Sequence, residues 1–327
     1  MKMNKRVFGT AILALLTAGP WAAVPGLAQP NYPDRPVKIV VPYPPGGASD
    51  IVARMIADKL SKTWGQAVIV DNKPGASGTI GAHAVARAPS DGYTILAHNS
   101  VLIQQPAVMD KLPYDPFKDL MPVVLTIKTN NLLAVPAESP AKTLREFVEM
   151  VKANPGQHNY GSYGTATAAH LHGELFKQQT GLDLTHIPFQ GSAPIITSLR
   201  GNQITSAFID IPSTLPHINW VRPLAIAGTK RVPELPDVPT FTELGYKSFE
   251  PMGWHGLFLP AGTSISIARK IATDVEKALA LPDVAAKLKA IGVMPDGGSP
   301  DEFVQQIKTD APIYAGIAKA ANIRVLN

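Results

Sequence analysis

The sequence predicts an α/β fold, and three observations carry the prediction. Short β-branched runs recur along the chain. Between them, apolar residues return every three to four positions, the period of a helix. Glycine-rich turns follow several of the runs. Such alternation predicts mostly parallel sheets covered by helices. Composition agrees, because 45% hydrophobic and 17% charged residues in 327 exclude a disordered or fibrous chain. The length suits about two domains.

Residues 1–28 read as a secretory signal. Lys2, Lys5 and Arg6 form a basic start and Val7–Leu16 an apolar stretch. Gly26-Leu27-Ala28 puts small residues at positions −3 and −1 of a cut after Ala28. The apolar stretch is half the ~20 residues of a spanning helix, which favours cleavage over a retained anchor. Removal lowers the formal charge from +5 to +2. A basic nucleic-acid surface is therefore not expected. The chain has no cysteine. That excludes thiol nucleophiles, iron–sulfur clusters and cysteine-based zinc sites.

Val37–Val41 is the first expected strand, followed by Pro42-Tyr43-Pro44-Pro45-Gly46-Gly47. Val52, Ile56 and Leu60 then mark a helix, with Ser49 as its expected N-cap and Gly65 as its stop. Val68–Val70 is a strand, the turn Asn72–Gly78 follows it, and a short helix runs to about Arg87. Tyr93–Ala97 and Leu132–Val135 are strands. Thr143 and Glu146 have capping-box spacing in front of Phe147, Val148 and Val151. Ala168, Leu171 and Leu175 form a helical stripe closed by Gly181. Leu184–Ile187, Ile204–Ile209, Leu224–Ala227 and Gly256–Leu259 are strands, and Ser192–Arg200 is a helix. Ile267, Ile271, Val275 and Leu279 mark another helix. Ser299-Pro300-Asp301-Glu302 opens the last one with a capping box.

Three glycine-rich turns, at 44–49, 74–79 and 161–167, follow strands. In parallel α/β sheets such turns sit where ligands bind. Small residues let backbone N–H groups approach a ligand, and the next helix adds unpaired N–H groups and a positive dipole end. Together they make an anion site without a basic side chain. Nucleotide motifs are missing: Gly75, Gly78 and Gly81 give G-x-x-G-x-x-G, and no G-K-[ST] occurs. His170, His172 and Glu174 invite a metal reading, but there is no H-E-x-x-H, and on a helix His172 points away from the other two. Ser162 with His170 suggests a nucleophile and base, without the G-x-S-x-G elbow. Tyr43, Phe189 and Trp254 are aromatic candidates for a pocket wall or for plain core. Tyr43, just after a strand and inside a turn, is the one expected to be less buried.

The run Tyr43-Pro44-Pro45-Gly46-Gly47-Ala48-Ser49-Asp50 resembles the first loop of the periplasmic solute-binding receptors of tripartite tricarboxylate transporters, the Bug-type receptors. Asn72–Gly78, Pro113–Pro116, Gly161–Thr165 with His170-Leu171 and Gly173–Phe176, His186–Gly191 and Leu235–Thr240 resemble further motifs of that family in order. The resemblance implies a type II periplasmic-binding fold, two α/β lobes with a ligand cleft between them. It places domain 1 at 29–128 plus 250–327 and domain 2 at 129–249. By the same resemblance, Pro44–Ala48 and Ser162–Thr167 grip a carboxylate, partly through water. The ligand-facing residues it implies are Tyr43, Pro44, Pro45, Gly46, Gly47, Ala48, Asp50, Ser77, Gly78, His98, Asn99, Ser162, Tyr163, Gly164, Thr165, Ala166, Thr167, His170, Gln190 and Asp210. Tyr163, Ala166 and Thr167 stand where the family is richer in glycine, so Tyr163 narrows the pocket or stacks on an aromatic ligand.

The implied function is capture of a small organic carboxylate, a di- or tricarboxylate or an aromatic acid, in the periplasm by lobe closure. The implied partners are the membrane subunits of a tripartite transporter, and the expected state is a monomer without cofactor or metal. Two alternatives remain at this stage: a periplasmic hydrolase or metal-dependent enzyme using His170, His172 and Glu174, or the ligand-sensing subunit of a signalling system.

Overall fold

Among the described residues the first strand is β1 (Val37–Val41), which lies parallel between β2 (Val68–Asn72) and β3 (Thr94–Asn99). The computed structural model describes residues 32–109, 111–165, 167–249 and 253–320. The expected signal at 1–28 lies outside them. Helix α1 (Ala48–Trp64) buries Val52, Ile56 and Leu60, the residues whose period marks it in the sequence. Gly65 ends it at φ +63°, the left-handed region glycine enters without strain. Its start differs from expectation, since Gly47 and not Ser49 is the N-cap. The Asp50 carboxylate reaches back to the Gly46 N–H at 3.0 Å, which fixes the preceding turn and lets the helix begin at Ala48.

After α2 (Thr79–Ala86) and α3 (Val101–Val108), β4 (Leu120–Thr129) leads directly into β5 (Asn131–Pro136) of a second sheet. That sheet gathers β6 (His158–Ser162), β7 (Leu184–Pro188), β8 (Ser206–Asp210) and β9 (Val221–Ile226). Its helices are α4 (Leu144–Ala153), α5 (Ala168–Thr180), α6 (Ser192–Arg200) and the short α7 (Ile211–Thr214). The chain then returns to the first sheet as β10 (Gly253–Pro260). Helices α8 (Ile265–Leu279) and α9 (Pro282–Ala290), the two-residue β11 (Met294–Pro295) and α10 (Pro300–Ala320) complete the first lobe. Strand order is β11-β4-β10-β3-β1-β2 in one sheet and β7-β6-β8-β5-β9 in the other.

The expectation of mostly parallel sheets fails. β10 runs antiparallel to β3 and β4, and β5 runs antiparallel to β8 and β9. Each of these strands has just arrived from the opposite sheet, so no helical crossover forces it to be parallel. Hydrophobic alternation records burial and carries no strand direction. Both expected capping boxes form, Thr143 with Glu146 and Ser299 with Glu302.

Each sheet has its own core. Leu96, Leu102, Trp254, Phe258 and Phe303 fill the first, and Phe147, Phe176, Phe208, Phe241 and Phe249 the second. Trp254 is therefore core, and its indole N–H donates to the Asp310 carboxylate at 2.8 Å. Phe189 is half-buried against the second core. From Pro33 onward the described residues form one compact unit. Val108 of α3, Leu171 of α5 and Ile317 of α10 make a small apolar contact between elements of the two lobes.

Candidate functional site

β1 and β6 stand at the same place in their sheets, each flanked by two parallel neighbours. The loops after them meet between the sheets. Tyr43 follows β1 and its hydroxyl donates to Asn99 Oδ1 at 3.0 Å. Tyr163 follows β6 and its hydroxyl donates to Asn131 Oδ1 at 3.2 Å. Each tyrosine is thus fixed by an asparagine of its own lobe, Asn99 on the adjacent strand β3 and Asn131 on β5, two strands away from β6, and the rings stand as walls. Tyr43 is buried, against the sequence expectation, because the second lobe covers its turn. Burial raises the pKa of both phenols well above the usual range, and each phenol's neighbours include an acidic group, Tyr163 for Tyr43 and Asp210 for Tyr163.

The first lobe lines the cavity with Tyr43, Pro44, Gly47, Ala48, Ser49, Asn99 and His255, and the second with Tyr163, Gly191, Ser192 and Asp210. The enclosed space is small, about 20 Å³, the room of a single water. The amino ends of α1 and α6 both reach it, at Ala48 and Ser192. The first N–H groups of a helix have no partner within it, and that of Ala48 donates across the sheets to Ser213 Oγ at 3.2 Å. Gly191 packs closely on Pro44, where a Cβ would sit 3.2 Å from Pro44 Cδ, and its φ of +111° is one that residues with side chains rarely adopt. Among the described lining residues there is no lysine or arginine, and Asp210 is the one charged side chain. Ser49 Oγ pairs with His255 Nδ1 at 3.1 Å. Burial holds the His255 pKa at about 4 despite the pull of Asp210, so the ring is neutral near pH 7.

The structure brings Tyr43, Pro44, Gly47, Ala48, Asn99, Tyr163 and Asp210 of the expected residues into this lining. The others lie around it. Pro45 and Gly46 complete the first turn without facing the cavity. Asp50 faces its own loop: its carboxylate binds the Gly46 N–H, Arg54 and Asn72. Burial alone would raise its pKa, but the hydrogen bonds from Arg54, Gly46 and Asn72 outweigh that and hold it below the usual value. Ser77 abuts Gly164 from the other lobe, where a Cβ on Gly164 would lie 2.6 Å from Ser77 Oγ. Gly78 is backed by His98 and Tyr43. His98 is fully buried with its ring edge-on to Tyr43, outside the lining, and its pKa is pushed down to about 4 by burial.

The turn after β6 folds on itself. The Gly164 carbonyl accepts from Ser162 Oγ at 3.0 Å and Thr167 Oγ1 at 2.7 Å, and Thr167 caps α5. Thr165 is half-buried outside the lining, and Ala166 lies outside the described residues. Gln190 is exposed. His170 stacks on His186 with ring centroids 4.0 Å apart, away from the cavity. Ser49, Gly191, Ser192 and His255 were missed. Gln190-Gly191-Ser192 has the same signal as the other turns, a glycine between a strand and a helix start, so the rule that found three turns finds this fourth. His255 has no such signal, because nothing local distinguishes it from any other strand residue.

The geometry also separates the residues of the enzymatic alternative. His172 packs on Phe208 and Phe249 and bonds Asn131, while Glu174 accepts from Tyr160 and Lys177. Ser162 meets His186 at 2.7 Å rather than His170, and it is fully buried. Among the described residues no group of three metal-ligating side chains converges.

Comparison with known proteins adds identity to this geometry. The family described as the tripartite tricarboxylate transporter family receptor matches residues 52–322. BugT of Bordetella pertussis is 32% identical over 324 residues, 97% of this chain and 99% of BugT. Among solved structures, the periplasmic binding protein BugD is 33% identical with a TM-score of 0.86, covering 90% of this chain and 99% of BugD. The R. palustris protein Rpa4515, solved with adipate, is 32% identical with a TM-score of 0.86, covering 90% and 100%. MatC from Rhodopseudomonas palustris, solved with bound malate, is 31% identical with a TM-score of 0.83, covering 88% and 99%. The two-lobed periplasmic-binding fold expected from the sequence is the fold these structures share with the chain.

Proposed function

The chain belongs to the tripartite tricarboxylate transporter receptor family, a family of substrate-binding receptors and not of enzymes, and from that premise we propose that it captures a small organic carboxylate between its lobes and hands it to transporter membrane subunits. One observation carries the reading. The amino ends of α1 and α6, on opposite sheets, reach one cavity whose lining, among the described residues, holds no cationic side chain. Backbone N–H groups are then the natural clasp for an anion. That related proteins were solved with adipate and malate supports the ligand class.

Magnitudes favour a two-sided grip. A micromolar complex needs about −8 kcal/mol. One helix end supplies ~0.3–1 kcal/mol, up to ~2 when partly buried. A hydrogen bond to a charged group adds ~1.5–3 kcal/mol. One loop falls short, and two loops closing on the ligand suffice. A cavity of about 20 Å³ is too small for any dicarboxylate, so entry requires the lobes to part. Domain 1 at 29–128 plus 250–327 and domain 2 at 129–249 are the proposed moving bodies.

Calorimetry and thermal-shift measurements on the mature chain with mono-, di- and tricarboxylates, aromatic acids included, test the proposal. Micromolar binding by some member, with stabilisation, is expected. No response to any member overturns it. Among the described residues no helix is long and apolar enough to cross a membrane. We propose cleavage after Ala28 and a periplasmic monomer, which the intact and native masses of protein from periplasmic extract would check. Pull-down from membranes separates transport from sensing by the partner recovered.

A further inference from the structure

Asp210 stands beside both helix ends of the proposed clasp. Its Oδ2 accepts from the hydroxyl of Ser192, the first residue of α6, and its Oδ1 accepts the Ser213 N–H at 2.9 Å. Ser213 Oγ in turn accepts the N–H of Ala48, the first residue of α1, at 3.2 Å. An acid held by these helix ends sets its carboxylate next to a buried one, only 7% exposed. The charges then do not balance. Each helix end carries roughly half a positive charge, so the two together offset Asp210 alone. The acid adds at least one more negative charge, and the described lining has no lysine or arginine to meet it. Like charges side by side in a water-poor site disfavour each other unless a cation joins them.

His255 is the one basic side chain of that lining. Its Nδ1 pairs with Ser49 Oγ at 3.1 Å, and a serine serves either form of the ring, donating to a bare Nδ1 or accepting from Nδ1–H. The groups that face the ring are few. Asp210 comes from β8 and already pulls on the proton. His98 lies on β3, fully buried. Tyr43 and Tyr163 are phenols that burial keeps protonated. Thr126 of β4 gives its hydroxyl to the His255 carbonyl at 2.9 Å, and Lys128 of β4 is tied to Asp296. On α1, Asp50 is turned to Arg54 and Asn72. The entering acid is thus the one new charge at the ring.

We propose that capture of the acid is coupled to uptake of one proton: the neutral imidazole of His255 gains it as the acid enters, and the imidazolium supplies the counter-charge that the helix ends leave short. This rests on the carboxylate reading above. An N–H bond forms on the ring, and the matching bond to hydrogen breaks in the buffer acid that supplies the proton. A negative charge arriving close by raises a base by about 1–3 pH units, which moves the ring from about 4 toward neutral pH. Acid and proton then favour each other's binding, so affinity rises as pH falls until the bound ring is fully protonated.

Calorimetry in buffers of different ionisation enthalpy, at about pH 6 and about pH 7.5, on the native chain and His255→Gln provides the test. The probe is the tightest binder among adipate, malate, benzoate and the wider carboxylate panel. The native chain should take up about 0.3–1 proton per acid at the lower pH and bind about 2- to 10-fold tighter there. Glutamine keeps a polar partner for Ser49 and cannot take the proton, so His255→Gln should show neither the uptake nor the gain in affinity. Ring-proton NMR of the native chain at about pH 6, which needs no variant, should show His255 neutral without the acid and imidazolium with it. Binding without proton uptake, uptake that persists in His255→Gln, or a proton that lands on another histidine overturns the inference and leaves the carboxylate reading standing. If the native chain binds no acid of the panel, the carboxylate reading falls together with this one.

Discussion

The N–H of Ala48 and the hydroxyl of Ser213 meet at 3.2 Å across the two sheets. Ala48 opens α1 of the first lobe and Ser213 lies in α7 of the second. The N–H that a bound carboxylate would require is thus already satisfied by a serine of the opposite lobe.

Ser213 is accordingly expected to compete with the ligand. Ser213→Ala removes the acceptor and leaves the Ala48 N–H for the ligand. A net hydrogen bond of ~0.5–1.5 kcal/mol predicts ~2- to 10-fold tighter carboxylate binding. The unliganded variant should also be more open, with a larger radius of gyration in solution scattering. Weaker binding in Ser213→Ala would mean that the serine holds the closed, liganded state instead.

Gly47→Val probes the backbone clasp more cleanly than any change at Gly46. Gly47 has φ −83° and ψ 167°, ordinary for any residue, and a Cβ there meets no atom within 4 Å. Valine should therefore fold normally while filling the approach to the amides of α1. Gly46 has φ +89°, where a β-branched residue is strained whatever the space, so Gly46→Val should lose stability as well. The expected outcome for Gly47→Val is an unchanged melting temperature with affinity reduced about a hundredfold or more, since close backbone approach is lost. Native affinity in this variant would refute the clasp.

Asp50 is expected to act on binding without touching the ligand. Its buried carboxylate ties the Gly46 N–H to Arg54 and to Asn72, and Asn72 in turn holds the Tyr43 carbonyl. Asp50→Ala strands these donors, at a cost of ~1–3 kcal/mol for a buried polar group left unpaired. Affinity should fall along with stability. Arg54→Ala should be milder, because the guanidinium is half exposed. Denaturation and calorimetry on both variants check the order, and an Arg54→Ala effect larger than that of Asp50→Ala contradicts it.

What the sequence made legible is local. The period of Val52, Ile56 and Leu60, the Thr143 and Ser299 capping boxes and the glycine turns all depend on neighbours within a few positions, and each forms as read. α3 was missed because Gln104, Gln105 and Pro106 interrupt its apolar pattern, yet both glutamines are buried and bonded, Gln104 to Ser100 and Gln105 to Ser77 and Thr79. Strand direction was misjudged for the same reason: β5 and β10 owe their orientation to a partner sheet far away in sequence. The site divides in the same way. Tyr43 to Ala48 announce themselves in one motif, whereas His255 joins them only through β10 pairing with Asn99 of β3.

Acid should weaken the fold well before any carboxylate titrates fully. His98, His172 and His255 are buried, and burial brings each pKa down to about 4. In the unfolded chain a histidine titrates near ~6.5. Above that value both states are neutral and the stability is fully present. Between about 6.5 and 4 the unfolded state binds protons that the folded state refuses, so stability falls as pH falls. Each ring contributes up to ~1.4 kcal/mol per pH unit in that window. Asp50, held below the usual carboxylate value, adds its loss only in stronger acid. Denaturant melts from about pH 7 to 4.5 should therefore lose stability steeply. Ring-proton titration by NMR should show the three histidines still neutral at about pH 5.5, because each has a folded pKa of about 4. A flat stability profile across that range, or His172 titrating near its free value, would show that protons reach these rings without unfolding.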